Sequence, residues 1–580
     1  MSIWRIYNRD ISSLKGKLSD EFLYILVNRG IDTKEKIDYY LNANFENMHD
    51  PFLMKDMDIA VDLILDHISK DSHIHICGDY DQDGIASTVI LMKGLGEIHK
   101  KITYSIPDRT VDGYGINTTM VEEMKKENVD LIITCDNGIV QFDAVNRARE
   151  LGIDIIVTDH HTIKRDGDKD FLPNANAVIN PHREDETYPF ENLCGAGVSF
   201  KLIQAIYNSI GIEDEKLIPL ISYAAMGTVC DVVELKDENR IIVKEGLKEL
   251  NKLKNPGFKA LVQANNWNKD IDIFTLGFVI GPSINASGRL STARLGVELF
   301  LEDNINNCES YAYELVRLNN ERKNLTNEGL TRALKIIKEQ SIHLNNVIMV
   351  NVEPCHESIV GIIAGRIKEK FNKPTLVFTN GLEENTLKGS GRSIKPYNMI
   401  SKLEDQKDLF LKFGGHKMAA GFSIERSRFY DLNKALNEDS GLSEKDFVEV
   451  HYIDIKKDIS SIDENFINEL SDLEPFGEGN SRPVLADKNI NLLSVKILGK
   501  NKNVIKLTLL KNNRVLEAIN FTKSDEILSY LENKFGNKIY NNYSNQYNLP
   551  IDIIYYPTIN EFNGNRSIQL NIKDIRWNNF

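Results

Sequence analysis

The sequence predicts an α/β protein with a parallel sheet, a second α/β unit joined to it by a long helix, and a small C-terminal β-barrel. Three observations lead there. Up to Asp231, short continuously apolar runs alternate with amphipathic helical stretches, the pattern of strands buried on both faces of a parallel sheet. A highly charged stretch, ESYAYELVRLNNERKNLTNEGLTRALKIIKEQ at 309–340, reads as one or two long helices and fits a connector better than a core element. From about residue 450 the chain changes to short alternating strands at close spacing, the mark of a small barrel or sandwich.

At 580 residues the chain is long enough for several domains, each with its own core. Its composition, 42% hydrophobic and 27% charged with 15 prolines, is ordinarily globular. The opening MSIWRIYNRD has no apolar signal core, and no uninterrupted apolar run approaches membrane-spanning length. A cytoplasmic protein with no membrane partner is expected. Cysteines at 77, 135, 194, 230, 308 and 355 form no CxxC pair, which disfavours a zinc ribbon or disulfide framework and fits reduced thiols. A net charge of −15 argues against coating nucleic acid through the overall field, but is compatible with a local basic groove.

Residues 1–50 read as a helical preamble, LSDEFLYILVNRGI and DTKEKIDYYLNA, with N-caps expected at Ser19 and Asp32. A first domain is expected over 51–308. In it, DIAVDLILDHISK has helical periodicity and leads into an apolar run ending at Cys77, followed by Asp79, Asp81 and Asp83. The run-then-acid pattern recurs three times: VDLIITCDNG carries Asp136, GIDIIVTDHH carries Asp159, His160 and His161, and YAAMGTVCDVV carries Asp231. In open parallel sheets ligands bind beyond the carboxyl ends of the strands. One such acid reads as a helix cap; four segments carrying Asp or His at the same expected end mark a site. After the connector at 309–340, a second α/β unit is expected over 341–445. It comprises NNVIMVNVEP, the helix SIVGIIAGRIKEKF, PTLVFTN, and two Gly-rich loops, KGSGRS and FGGHKMAAGF, bearing Arg392 and His416. Over 446–580, NVIKLTLLKNN, VLEAINF, IDIIYYP and NRSIQLNIKDIRW read as barrel strands.

The stretch HICGDYDQDGIAS at 75–87 concentrates the chemistry. On an extended segment, residues at i, i+2 and i+4 face one side, so Asp79, Asp81 and Asp83 converge. Carboxylates held that close are costly unless protonated or bound to cations. A calcium loop is disfavoured, because its twelfth position needs Glu and here falls on Ile90 or Met92. Carboxylates plus imidazole, without a thiolate, suit Mn²⁺ or Mg²⁺ better than structural zinc. Five or six such groups exceed what one ion needs, and a two-metal centre, its ions roughly 3.5–4 Å apart, is the economical reading.

GDYDQDG, CDNG, TDHH and GTVCDVV, in that order, resemble the motifs of the DHH phosphoesterases, and GGHKMAAG resembles the associated DHHA1 substrate-binding domain. With IPDRTVDGYG, CGAGVSFK, INASGR, SIVGIIAGRI, KGSGRS, EPFGEGN and FNGNRSIQLNIKDIR, the chain is similar over nearly its whole length to the bacterial RecJ family of single-strand-specific exonucleases. The resemblance implies Asp81, Asp83, Asp136, His160 and Asp231 as metal ligands, with Asp136 bridging and Asp79 completing the cluster. His161 would face the scissile phosphate, and Asp159 would orient an imidazole from behind. Arg109, Ser390 and Arg392 resemble a pocket for a 5′-terminal phosphate, for which guanidinium is suited as a planar fork. Arg289 would contact a phosphate near the metals, and His416 the strand backbone or scissile phosphate. Tyr114 is read equally as a base-stacking or a structural tyrosine. Departures from the usual family pattern fall at Glu357–Ser358, Gly365 and Gly391, none of them a ligand position.

The barrel resembles an OB-fold, a platform for single-stranded nucleic acid, with local positive charge from Lys500, Lys502, Lys506, Lys511 and Arg514. The implied activity is metal-dependent 5′ to 3′ hydrolysis of single-stranded DNA to mononucleotides in repair and recombination, by a monomer. Single-strand-binding protein and a RecQ-type helicase are the partners the resemblance implies. The alternatives are a DHH phosphodiesterase of oligoribonucleotides, cyclic dinucleotides or polyphosphate, which would need no strand platform, and a non-catalytic scaffold, which would be expected to have lost ligands that are present here.

Overall fold

A computed structural model describes the chain except Met1, Asn8, Lys15, Lys17, Thr110, Val111, Asp168, Leu382, 500–503, 537–548, Asn563, 579–580 and the side chains of Asp166 and Phe562. Lys500 and Lys502 therefore lie outside the described residues. The chain forms two compact units, one of residues 47–449 and one of residues 1–46 with 450–580.

The first unit begins with a five-stranded sheet: β1 (Ile74–Cys77), β2 (Ile102–Ser105), β3 (Leu131–Cys135), β4 (Asp154–Thr158) and β5 (Ala177–Ile179). All are parallel, in the order β2-β1-β3-β4-β5. Every residue of β1 and β3 is buried, as expected of strands covered on both faces. The order reverses between β1 and β3, so the crevice beyond their carboxyl ends is the topological switch point, where ligands of such sheets sit. Helices α1 (Gln82–Gly96), α2 (Gly195–Ile210) and α3 (Ile221–Cys230) pack together beside it. Lys201 on α2, fully buried, pairs with the equally buried Glu238 at 2.8 Å.

Asp231 does not follow a strand, contrary to expectation. It caps the C-terminus of α3. ISYAAMGTVC combines helix-favouring Ala and Met with small residues that admit close packing: a Cβ on Gly227 would lie 2.4 Å from Asp83 Oδ1. Helix α4 (Gly281–Leu290) follows a π-helical turn at Leu276–Ile280. A single 35-residue helix, α5 (Ile305–Glu339), then packs against α4 and against α6 (Glu357–Phe371).

A second sheet contains β6 (Ile348–Asn351), β7 (Thr375–Asn380), β8 (Thr386–Arg392), β9 (Lys412–His416) and β10 (Ala419–Glu425), ordered β9-β10-β8-β7-β6. The Gly-rich segments expected as loops are thus antiparallel strands. Their glycines serve packing: a Cβ on Gly389 would lie 2.2 Å from the Phe422 ring. Burial alternates along β8, leaving Ser390 and Arg392 on the less buried face.

In the other unit, β11 (Ile455–Lys456), β12 (Leu485–Leu498), β13 (Val504–Lys511), β14 (Arg514–Asn520), β15 (Leu549–Phe562) and β16 (Asn565–Trp577) run in the order β11-β12-β13-β14-β16-β15. Pairing of β15 back onto β12 closes a five-stranded barrel, as the alternation predicts. The preamble belongs to this barrel: Phe22, Leu23, Ile25 and Leu26 share one core with Leu485, Ile505 and Ile551. Ser19 caps its first helix as expected, accepting from the Phe22 N–H. Thr33, not Asp32, caps the second, because Asp32 instead pairs with Lys36 one turn on. Lys506 pairs with Glu517, Lys511 with Asp487 and Asp458, and Arg514 donates to the Ser460 and Ile462 carbonyls. These three of the five expected charges are engaged within the unit.

Candidate metal centre and adjoining cleft

Each element delivers one part of the site. After β1 the chain turns at Gly78, where a Cβ would meet Thr88 Oγ1 at 2.0 Å, and enters α1 through three aspartates. Asp79 is buried. Asp81 caps α1, its Oδ1 accepting from the Asp83 and Gly84 N–H groups at 2.9 and 3.2 Å. Asp83 turns the other way and accepts from the Gly195 and Ala196 N–H groups at 2.7 and 3.0 Å. These open α2, so a helix N-terminus supports the Asp83 charge. This explains CGAGVSFK, a motif legible in the sequence without its role: a Cβ on Gly195 would lie 2.6 Å from Asp136 Cβ.

Asp136 follows β3 in a left-handed conformation, φ 61°, uncommon for a non-glycine residue and a mark of over-determined sites. Asn137, which the sequence reading passed over, ties the two strand ends by donating to the Cys77 and Cys135 carbonyls at 3.0 and 2.9 Å. After β4, Asp159 is saturated. Its Oδ1 accepts from the His160 and His161 N–H groups and lies 2.7 Å from His161 Nδ1, while Oδ2 accepts from the Ile139 N–H. It is therefore a support rather than a free donor.

Among the described residues, three groups of potential ligand atoms, each within 4.8 Å of one another, result: Asp79, Asp81 and Asp136; Asp83, His160 and Asp231; and Asp136, His160 and His161. His160 Nε2 lies 3.1 Å from Asp136 Oδ1, 3.6 Å from Asp83 Oδ2 and 3.8 Å from Asp231 Oδ2. Asp79 Oδ1 and Asp136 Oδ1 are buried with no hydrogen-bond donor. Burial, then the neighbouring carboxylates, pushes the Asp79 and Asp136 carboxyls well up; Asp231 rises to about 8 for the same reasons. Burial holds His160 below the ordinary imidazole value, against the pull of Asp83. Burial also opposes protonation of His161, but the Asp159 hydrogen bond and charge prevail and raise it to about 9. Carboxylates that cannot all ionise and oxygens without donors fit a pair of hard divalent cations.

Tyr114 does more than line the site. Its hydroxyl donates to the Asp136 carbonyl at 3.0 Å and lies 3.2 Å from His161 Nε2. Tyr80, missed in the sequence, packs edge-on against Tyr114, and Arg109 stands 5.0 Å over its ring. Arg109, Tyr114, Arg289, Ser390 and Arg392 line one cavity of about 730 Å³. Arg392 Nη1 donates to Ser390 Oγ at 2.9 Å, and Arg289 Nη1 to the Ser358 carbonyl at 2.7 Å. Gly361 near the start of α6 forms the floor; a Cβ there would lie 2.9 Å from Arg392 Nη2. Burial, then mutual repulsion, lowers Arg289 to about 10, and Arg392 also lies below its ordinary value. Such a cradle favours an anion. His416 does not line the cavity. It is exposed at the end of β9, whose Lys412, Phe413 and Gly414 do.

The sequence matches the DHH family N-terminal domain over residues 73–228, the DHHA1 domain over 344–439 and the RecJ OB domain over 453–574. A single-stranded-DNA-specific exonuclease RecJ of Salmonella typhimurium is 37% identical over 66% of this chain and 68% of its own length. One of Bacillus subtilis is 34% identical over 82% of this chain, and the match spans 59% of that relative's length. RecJ from Thermus thermophilus, solved with Mn²⁺, superposes with a TM-score of 0.81 at 24% identity, over 100% of this chain and 80% of that one. A further structure, an exonuclease RecJ bound to manganese, is 30% identical with a TM-score of 0.58, over 68% of this chain and 96% of the other. Among the described residues no helix is long and apolar enough to cross a membrane.

Proposed function

The chain belongs to the RecJ family, and from that premise we propose that it is a metal-dependent exonuclease releasing 5′-mononucleotides from the 5′ end of single-stranded DNA. One observation carries the reading: the buried acidic centre and the arginine cradle adjoin, because Tyr80, between Asp79 and Asp81, lines the cradle. A strand end and the bond beside it can be held at once.

Asp81, Asp83, Asp136, His160 and Asp231 would hold two ions, Mn²⁺ or Mg²⁺, with Asp79 completing the acidic wall. A manganese-bound relative at 30% identity supports this choice. When bound, the ions supply Lewis acidity at phosphorus and a water of lowered pKa. The remaining work falls to the chain. Arg109, Ser390 and Arg392 grip the 5′-terminal phosphate and set the position of the first bond. Arg289 neutralises a neighbouring phosphate, and His416 meets the strand at the rim. His161, held at Nδ1 by Asp159 and at Nε2 by the Tyr114 hydroxyl, faces the scissile phosphate. Tyr114 acts through that hold, and its half-exposed ring remains available to a base. Family grounds add action in repair and recombination in the cytoplasm as a monomer, with single-strand-binding protein and a RecQ-type helicase as partners.

The test uses end-labelled single- and double-stranded DNA, with and without 5′ phosphate, under Mn²⁺ and Mg²⁺. Mononucleotides released from the 5′ end of single strands are expected. Asp136→Ala should abolish release while strand binding survives, and activity retained in that variant would sink the two-metal account. Faster turnover of a dinucleotide than of a long strand would instead favour a small-substrate phosphodiesterase.

A further inference from the structure

Three aromatic rings stand in a row on the surface of the 47–449 unit, outside the site described above. Phe274 and Phe278 are stacked, centroids 5.0 Å apart and planes 20° from parallel, and Trp267 lies 6.4 Å from Phe274. Phe274 is 52% exposed and Phe278 67%. Large rings left this open on a structured element are unusual unless something covers them.

Their place in the fold says what that is. Phe278 sits on the π-helical turn Leu276–Ile280, a conformation that recurs at functional sites. This turn packs on the end of α3: Cys230 Sγ donates to the Leu276 carbonyl at 3.5 Å, and a Cβ on Gly281 would meet Cys230 Sγ at 2.4 Å. The next residues are the candidate ligand Asp231 and then Val232, which is 63% exposed with φ 61°, a strained conformation for a β-branched side chain. Helix α4 starts at this turn. At its other end, roughly 15 Å away, a Cβ on Gly288 would lie 2.4 Å from the Tyr80 carbonyl, and Arg289 enters the arginine cradle. The helix therefore runs from the Asp231 side of the acidic centre to the Asp79–Asp81 side. For a strand gripped at Arg109, Ser390 and Arg392 with its first bond over the carboxylates, the turn that bears Phe278 is the element packed against Cys230, next to Asp231, at the far side of the centre from the cradle.

We propose that Phe274 and Phe278 form a stacking platform for bases on the 3′ side of the scissile bond, continuous with the candidate site. Unsubstituted rings take any base, so the platform grips without reading sequence, as an enzyme that must advance along a strand requires. The inference rests on the strand-degrading activity proposed above.

The experiment compares the full chain with a Phe274→Ala/Phe278→Ala double variant and a Phe278→Trp variant, on a 5′-phosphorylated dinucleotide and a long 5′-phosphorylated oligonucleotide. Binding of the oligonucleotide carrying 2-aminopurine at successive positions is read by fluorescence in chelator. The double variant should lower the ratio of kcat/KM on the long strand to that on the dinucleotide by about tenfold or more, the size of a lost base–aromatic stack. It should also relieve 2-aminopurine quenching at positions beyond the first bond, and Phe278→Trp should keep both. An unchanged ratio and unchanged quenching, as a protein-docking patch would give, overturn the platform, as does an equal loss on both substrates. If the parent chain degrades no strand, the proposed activity itself fails, a result distinct from these.

Discussion

Asp136 shows how much strain one residue can carry for a site. It is buried, in a left-handed backbone, with one oxygen lacking a donor and four acidic neighbours, Asp83, Asp81, Asp79 and Asp159. Its cost has a pH signature in the metal-free protein. Asp79, Asp136 and Asp231 titrate in the fold above their unfolded range, Asp231 at about 8. Protonated, they favour the fold; that contribution is complete below the unfolded carboxyl pKa and is lost as pH rises through the folded one. Metal-free protein should therefore lose stability between about pH 4 and pH 8, Asp231→Asn should flatten the decline, and Mn²⁺ should reverse it. Thermal melts across this range check it, and a decline equally steep in Asp231→Asn would contradict the assignment. At this scale the sequence was most informative. The acids and imidazoles that meet in the candidate centre were legible, because four segments carried Asp or His after an apolar run, where one alone reads as a helix cap. Tyr80, Asn137 and the Gly195 and Ala196 N–H groups were not, since tyrosine, asparagine and backbone amides occur everywhere and gain meaning only from what they touch.

Elements position these residues through contacts that leave no spare volume. Helix α3 brings Gly227 within van der Waals reach of Asp83 and Ala196, with a Cβ there 2.4 and 2.5 Å from them. Gly227→Ala removes no ligand residue but pushes on the Asp83 carboxylate, and should weaken Mn²⁺ affinity by about 10–100-fold, with a stability loss of about 1–3 kcal/mol from overpacking. Calorimetric titration alongside denaturant unfolding measures both, and an affinity equal to that of the parent would show that α3 has room to move. The same helix exposes the limit of reading periodicity. YAAMGTVC is as apolar as the strands before it, and a short apolar run does not separate strand from buried helix. KGSGRS and FGGHKMAAGF failed in the opposite sense. Glycine marks turns by default, but here it clears space for Phe422 and Met399 between paired strands.

At the scale of the molecule, the terminal segments build one unit and the middle of the chain the other. Removing residues 1–46 takes Phe22, Leu23, Ile25 and Leu26 out of the barrel core. Calorimetry should then show the transition of the 450–580 portion lowered or lost while Mn²⁺ binding by the 47–449 unit persists; a transition unaltered in temperature would mean the barrel core closes without them. The arrangement also sets an order of events during synthesis. The strand Ile3–Ile6 pairs in parallel with Val450–Ile453, so these residues wait while residues 47–449 are made. At about 5–20 residues per second that wait is on the order of 20–80 s. Throughout it the apolar face of the first helix is without its partners, and the 47–449 unit can be complete before the barrel that shares its chain exists.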